Sequence, residues 1–278
     1  MINSFKRSIT YLWLTALGIT MVYPLIWMFF SSFKTNSEIF GSIKLLPSEY
    51  LIDTYVKGWQ GSGQFGFGLF FINSFIMVIP TVFLTIASSS LVAYGFTRFQ
   101  FPLKKLLFSL MLSTLMLPSA VIIIPRYLIF KNLQWLDSYK PFVIPSALAG
   151  SAFFVFMMVQ FFRSVPKELD ESAIIDGCNS FGIFTHIMLP LSKPALFSVG
   201  IFQFMWTWND FFNSIIYINS VKKFTVSLGL RMAIDNSDAT NWNQILAMSV
   251  LAIIPSILLF FFAQKYFVEG IATTGLKG

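Results

Sequence analysis

The chain has 278 residues, of which 56% are hydrophobic and only 11% charged, and its mean hydropathy is +0.72. Soluble domains carry about 25% charged residues, so too few charges are present to cover a water-facing surface of this size, and the composition points to a membrane protein. The net charge of +7 is scattered between apolar runs rather than gathered in a stripe, which speaks against nucleic acid and for anionic lipid headgroups; one cysteine (Cys178) and one histidine (His186) exclude a disulfide framework and a soft-ligand metal site.

A membrane-spanning helix needs about 20 mostly apolar residues. Six segments meet that need: 9–30, 69–96, 106–125, 142–162, 194–217 and 245–263. None alternates with period two, which speaks against strands. Pro24, Pro80, Pro118 and Pro255 fall inside them, where a buried spanning helix tolerates proline. The first segment follows Lys6 and Arg7 as a signal peptide would. Its apolar stretch is too long for one, and no small-x-small site follows Phe30, so it reads as a retained helix. Arg126 and Tyr127 read as the mark of a helix end.

Six crossings place both termini on one side, together with the 97–105 turn and the 163–193 segment. That side carries ten Lys and Arg against nine on the other, a difference too small to orient the chain. The short 97–105 turn holds Arg98, Lys104 and Lys105, and short loops weigh most in the positive-inside rule. The side with both termini is therefore expected to be cytoplasmic.

The segment PKELDESAIIDG, residues 166–177, holds four of the twelve acids: Glu168, Asp170, Glu171 and Asp176. Pro166 suits the first turn of a helix, the acids after it suit the positive end of the helix dipole, and Leu169, Ala173 and Ile174 can share an apolar face. Gly177 stands where the helix would stop. Such a segment is either a solvated loop lying on the membrane or a docking site for a basic partner. Cytoplasmic loops against an anionic leaflet are usually basic, which favours docking.

Glu171-Ser172-Ala173, three residues, Gly177, nine residues, Ile187, one residue and Leu189-Pro190 resemble the EAA motif of permease subunits in binding-protein-dependent ABC importers, with Ser172 in place of the first Ala. NSF at 73–75, AYGFTRFQF at 93–101, LMLPSAVIIIPRY at 115–127, LPLSKPAL at 189–196, WND at 208–210 and the GLKG tail resemble the carbohydrate branch, and within it the smaller, six-helix permease of maltose-type systems. The resemblance implies an all-α integral membrane protein: residues 1–278 as one permease domain of the type I ABC importer fold, with 163–193 as a cytoplasmic coupling segment and 218–244 as an outer loop. It implies that Glu168, Glu171, Ser172, Ala173, Asp176 and Gly177 contact a cytoplasmic ATPase, with Glu171 pairing to basic groups and Gly177 giving the sharp turn. No G-x-x-x-x-G-K-[ST] occurs, so ATP and Mg would be held by that separate P-loop ATPase, present in two copies. A second, homologous permease and an extracytoplasmic sugar-binding protein complete the implied assembly, in a bacterial cell membrane. No catalytic set is visible and the chain reads as a transport subunit rather than an enzyme.

For the transport path, Trp206, Trp208, Asn209 and Asp210 put polar groups beside aromatic faces in the fifth segment, which suits a sugar. An ionisable residue at membrane depth is a functional pointer; the other reading puts Asp210 near the outer interface with the tryptophans as an aromatic belt. Asn73 and Ser74 are either path residues or glue between helices. The outer loop, with Lys222, Lys223, Arg231, Asp235 and Asp238, is expected to meet the binding protein, and His186 to be a packing residue. The cargo is expected to be a sugar, an oligosaccharide first, with glycerol phosphate or an acidic oligosaccharide as the alternative. An ion-gradient-driven transporter would need buried ionisable groups in several helices, and only Asp210 offers one.

Overall fold

The computed structural model describes residues 2–61, 65–235 and 241–275, with side chains from 7 to 264 within those ranges. Every regular element among the described residues is helical. The order is α1 (Ile2–Ser31), α2 (Asn36–Gly41), α3 (Asp53–Gln60), α4 (Phe67–Arg98), α5 (Lys104–Thr114), α6 (Ser119–Asn132), α7 (Lys140–Ala147), α8 (Ala152–Ser164), α9 (Glu168–Ile175), α10 (Ser180–Ile183), a π-helical turn (Phe184–Met188), α11 (Leu189–Leu191), α12 (Lys193–Trp208), α13 (Phe211–Tyr217), a 3₁₀ turn (Val221–Lys223), α14 (Val226–Asp235) and α15 (Trp242–Gly275). Asp238 lies outside the described residues.

Four stretches are long and apolar enough to cross a bilayer: Arg7–Ser31, Phe67–Arg98, Lys140–Ser164 and Trp242–Gln264. Two bent pairs raise the number to six if each counts as one span. Residues 106–125, expected as one helix, are instead α5 and the start of α6, bent by 103°. Pro118 is the cause. It has no N–H to donate and disfavours helical geometry at Leu117, so the helix stops and restarts at Ser119. Arg126, expected at a helix end, therefore lies inside α6. Residues 194–217 also break, at Asn209–Asp210, where Asp210 caps α13 by accepting from the Asn213 N–H at 3.0 Å. A short acidic side chain competes for backbone N–H groups and favours a cap over a helix interior.

The chain forms two compact units, one of Met1–Phe71 with Leu228–Pro255, the other of Ile72–Ser227 with Ser256–Gly278. In the first, Trp59 packs on Phe67 and Phe71, and Met248 closes on Gly58, where a Cβ would lie 2.9 Å from its terminal methyl. Along Arg7–Ser31 of α1 no residue of the most apolar stretch is buried. Tyr11, Leu12, Trp13 and Leu14 all face outward, a surface that suits lipid and not water. In the second unit, Phe154, Met158, Val159 and Phe162 of α8 and Met188 are fully buried, and Tyr94 and Ala173 join the same cluster. This core holds the inner faces of α4, α8, α9 and α12 together.

Candidate functional site

The acidic segment folds as a helix with a defined stop. α9 begins after Lys167, so Pro166 precedes the helix and is not in its first turn. Glu168, Asp170 and Glu171 occupy that turn, where each carboxylate interacts favourably with the helix dipole. At the other end Gly177 has φ +81°. Its N–H donates to the Ile174 carbonyl at 3.0 Å, and the Cys178 N–H to the Ala173 carbonyl at 2.8 Å, the double bond pattern of a Schellman stop. A Cβ at Gly177 would meet nothing within 4 Å. The glycine is required by backbone conformation and not by space. Asn179 then caps α10, its Oδ1 accepting from the Gly182 N–H at 2.7 Å.

Of the expected apolar face, Leu169, Ala173 and Ile174, only Ala173 is buried; Leu169 and Ile174 are exposed, as is the neighbouring Ile175. Ser172 is exposed and donates to the Glu168 carbonyl at 2.9 Å, so its hydroxyl is satisfied within the helix. Glu168, Glu171 and Asp176 point to the surface. α9 and its C-terminal cap Asp176 thus present three carboxylates and three aliphatic side chains outward. His186, expected to pack, is exposed in the π-helical turn, with Nδ1 3.1 Å from the Gly182 carbonyl. The π turn follows from Pro190, which withholds the N–H that a regular helix would direct to the His186 carbonyl.

Asp170 is the exception among the acids. It turns inward, and its carboxylate lies 2.5 Å from Arg98 Nε, with the two side chains only 15% and 8% exposed. Arg98 is the last residue of α4, where a cation suits the negative end of the helix dipole. Its guanidinium also donates to the Val165 carbonyl at 3.0 Å and the Phe162 carbonyl at 3.3 Å. Tyr94, one turn earlier, donates to the Ser180 carbonyl at 2.9 Å. The end of α4 therefore grips both sides of the acidic turn. Sequence reasoning assigned Arg98 to topology and missed this grip. The signal was present as a cation ending a long apolar helix and a fourth acid in a segment where three would serve a surface.

The expected path residues separate. An open cleft of about 720 Å³ is lined by Trp206, Asn209, Asp210, Asn213, Met205 and Phe260 among others. Trp206 is about half exposed on it, over Phe153 and Phe154. Asn209 donates to the Met205 carbonyl at 2.8 Å, and both Asp210 oxygens receive the Asn213 amide. Trp208 is not on the cleft. It is 4% exposed, stacked on Phe204 and against Phe75, because two residues along a helix turn about 200°. Asn73, 7% exposed, uses its amide to donate to the Lys222 and Phe224 carbonyls at 2.9 and 3.0 Å, and Ser74 accepts from the Val226 N–H. Both hold the 222–226 segment in place.

A second anchor fixes that segment. The Asp137 carboxylate accepts from the Asn219 and Ser220 N–H groups, the Ser220 hydroxyl and Lys223 Nζ, at 2.7 to 3.1 Å. Burial opposes its ionisation, but the Ser220 and Lys223 side chains and these N–H groups outweigh it and hold the carboxyl well below the usual carboxylate range. Tyr139, which donates to the Lys223 carbonyl at 3.0 Å, is pushed up to about 12 by burial and by the Asp137 charge.

A helical membrane subunit with an exposed acidic turn after its fourth apolar segment matches one family model. Residues 85–273 fit the binding-protein-dependent transport system inner membrane component. The chain belongs to this family. The permease is 37% identical over 260 residues to the probable ABC transporter permease protein YurM of Bacillus subtilis, covering 94% of this chain and 85% of that one. It is 32% identical over 278 residues to the arabinooligosaccharides transport system permease protein AraQ of Bacillus subtilis, covering 99% and 97%. It is 34% identical over 261 residues to the sn-glycerol-3-phosphate transport system permease protein UgpE of Yersinia pestis, covering 92% of each. Among solved structures, a bacterial ABC transporter involved in the import of the acidic polysaccharide alginate superposes with a TM-score of 0.85 at 20% identity, over 95% of this chain and 97% of that chain. The permease thus has the all-α type I fold of ABC importers, is a multi-pass inner membrane protein, and is a transport component with no catalytic role in its family.

Proposed function

We propose that the permease carries sugars inward by alternating access, and that α9 is where a separate P-loop ATPase drives it. The observation that carries this reading is the division of acids on α9 and its C-terminal cap. Asp170 is tied to α4 through Arg98, while Glu168, Glu171 and Asp176 face outward beside exposed Leu169, Ile174 and Ile175. An apolar patch rimmed by charge marks a protein interface. Two ATPase copies, holding ATP and Mg, would dock from the cytoplasm, one on this chain and one on a second, homologous permease. Both termini and α9 then face the cytoplasm, in keeping with Arg98, Lys104 and Lys105 in the short 97–105 turn. A sugar-binding protein would deliver cargo from outside, meeting the segment that Asn73 and Asp137 hold. The cleft at Trp206, Asn209 and Asp210 supplies an aromatic face and polar groups for a sugar ring. Closure of the ATPase pair would shift the population between inward- and outward-open states through differential contacts. Oligosaccharide cargo is favoured by the arabinooligosaccharide permease among the relatives; glycerol phosphate is the second reading, favoured by the sn-glycerol-3-phosphate permease at similar identity.

The test is mild-detergent co-purification from the native membrane of the tagged permease, wild type beside a Glu171→Lys, Gly177→Asp double variant. A P-loop ATPase and a second permease are expected with the wild type, and the ATPase alone is expected to be lost from the variant. An ATPase that stays bound to the variant removes the docking role of α9.

A further inference from the structure

A cavity inside the second unit, separate from the Trp206 cleft, has the make-up of an anion site. It measures about 190 Å³ and is lined by Thr81, Thr85 and Ser88 of α4, Arg126 of α6, Ser151 before α8 and Gln203 of α12, among others. No Asp or Glu lines it. Three features favour a negative group. Arg126 is exposed, follows the apolar run 120–125 of α6, interacts with the Tyr217 hydroxyl, and takes part in none of the ion pairs among the described residues; a cation there is costly unless it serves a polar cavity. α8, of 13 residues, begins at the cavity wall with no side chain capping its N-terminus, so its first N–H groups and its positive dipole end are available. Thr85 is 3% exposed, and its hydroxyl has no hydrogen-bond partner in the structure, a donor left waiting in a buried wall. Thr81 and Ser88 donate to the Met77 and Ser146 carbonyls at 2.7 and 2.6 Å, leaving their oxygens as acceptors for hydroxyl groups.

We propose that this cavity receives an oxyanion carried by the cargo, a sugar carboxylate or a phosphate monoester. Arg126, the α8 N-terminus and Thr85 would hold the anion, and the Thr81 and Ser88 oxygens a neighbouring hydroxyl. The volume corresponds to about six waters at roughly 30 Å³ each, which is room for one charged end of a cargo and not for an oligosaccharide. This inference rests on the reading that the permease forms a path for a polyhydroxylated cargo.

The permease complex, purified through a tag on this chain, would be titrated calorimetrically with glycerol 3-phosphate, glucuronate, glycerol and glucose. At least one anionic probe is expected to bind about tenfold or more tightly than its neutral counterpart, the net value of a charge-assisted contact. Binding of glycerol 3-phosphate alone assigns a phosphate cargo, and binding of glucuronate alone a carboxylate cargo. Arg126→Gln should lose that preference, Arg126→Lys should keep part of it, and Thr85→Val should weaken binding several-fold with selectivity reduced. Lys131→Gln, on the same helix and away from the cavity, should change nothing. Neutral probes that bind as well as anionic ones, or an unchanged preference in Arg126→Gln, overturn the proposal; if Arg126→Gln does not fold, Arg126→Lys and Thr85→Val decide in the same way. ATP-driven uptake in liposomes is measured in parallel. Uptake without anion preference removes the cavity assignment alone, whereas absence of any ATP-driven uptake removes the transport reading, and the titration still decides the cavity.

Discussion

Replacing Arg98 by Met removes the cation that faces Asp170 and retains an apolar stem of similar length. The consequence can be worked from burial. Both side chains are at least 85% covered and the charges approach to 2.5 Å. Water screens such a pair weakly, and leaving one charge buried alone costs about 3–5 kcal/mol. Arg98→Met also frees the Val165 and Phe162 carbonyls, so it belongs at the upper end of that range. Asp170→Asn keeps shape, and leaves Arg98 its two carbonyl acceptors; about 2–3 kcal/mol is expected. The double variant Arg98→Met, Asp170→Asn leaves no unpaired charge and should recover part of the loss, because removing both partners of a buried ion pair costs less than stranding one. Thermal unfolding of the purified permease, followed by near-ultraviolet circular dichroism, measures all four forms. At about 2–4 °C per kcal/mol for a chain of this size, Arg98→Met should lower the midpoint by about 8–20 °C, with a coupling energy of about 2 kcal/mol or more in the cycle. Single effects that add to within about 0.5 kcal/mol, the margin expected of independent sites, would refute the grip.

Gly177→Ala should destabilise the α9 turn by about 1–2 kcal/mol through its left-handed backbone alone, and Gly177→Asn by less, since Asn visits that region readily; hydrogen exchange at the Gly177 and Cys178 amides checks the order. Trp208→Ala should cost about 3–5 kcal/mol as a core truncation, while Trp206→Ala should leave the unfolding midpoint within a few degrees and raise the KM for uptake. Asp137→Asn should lower the midpoint at neutral pH, with the gap to wild type closing in acid. The sign follows from a folded-state pKa held below the unfolded value. The stabilisation is fully present above the ordinary carboxylate range, near pH 4, and is lost as pH falls from there toward the lower folded value. A gap that instead widens below pH 4 rejects the assignment of Asp137 as the carboxylate holding residues 219–223.

Fold class was legible in the sequence because lipid makes the demand simple: about 20 apolar residues per crossing and every backbone group bonded within a helix. What escaped was local. Hydropathy is blind to the breaks at Pro118 and Asp210, since a kinked apolar run scores like a straight one. Trp206 and Trp208 share composition and neighbours, and only the helix phase separates the cleft face from the core. Asn73 looked equally able to line a path or to join helices, and its partners lie about 150 residues away, beyond any local pattern. The EAA-like spacing located α9 and Gly177 but said nothing of which acid turns inward. Arg126 was misread because a charge near the end of an apolar run resembles a boundary; in the fold it is inside α6 and at a cavity.

The arrangement at α9 imposes a requirement on any motion it transmits. A helix of eight residues, Glu168–Ile175, is too short to be stable alone, and with only Ala173 buried it gains little from packing. Its position therefore depends on attachments at fixed points: Asp170 to Arg98, and beyond the turn Ser180 to Tyr94. Both attachments end on α4, four residues apart and so on one face of it. A displacement of the acidic turn by a docked partner would then reach α4 through two points on one continuous helix. The other end of that helix holds Asn73 and Ser74, which bind residues 222–226. α4 spans 32 residues, about 48 Å at 1.5 Å per residue. One helix thus connects the acidic turn at one end with the 222–226 segment at the other. On the proposed docking of an ATPase at α9, loosening Arg98–Asp170 should weaken the link between ATP hydrolysis and uptake before it abolishes either, and the ratio of ATP hydrolysed to cargo moved in reconstituted Arg98→Met is the quantity that reports it.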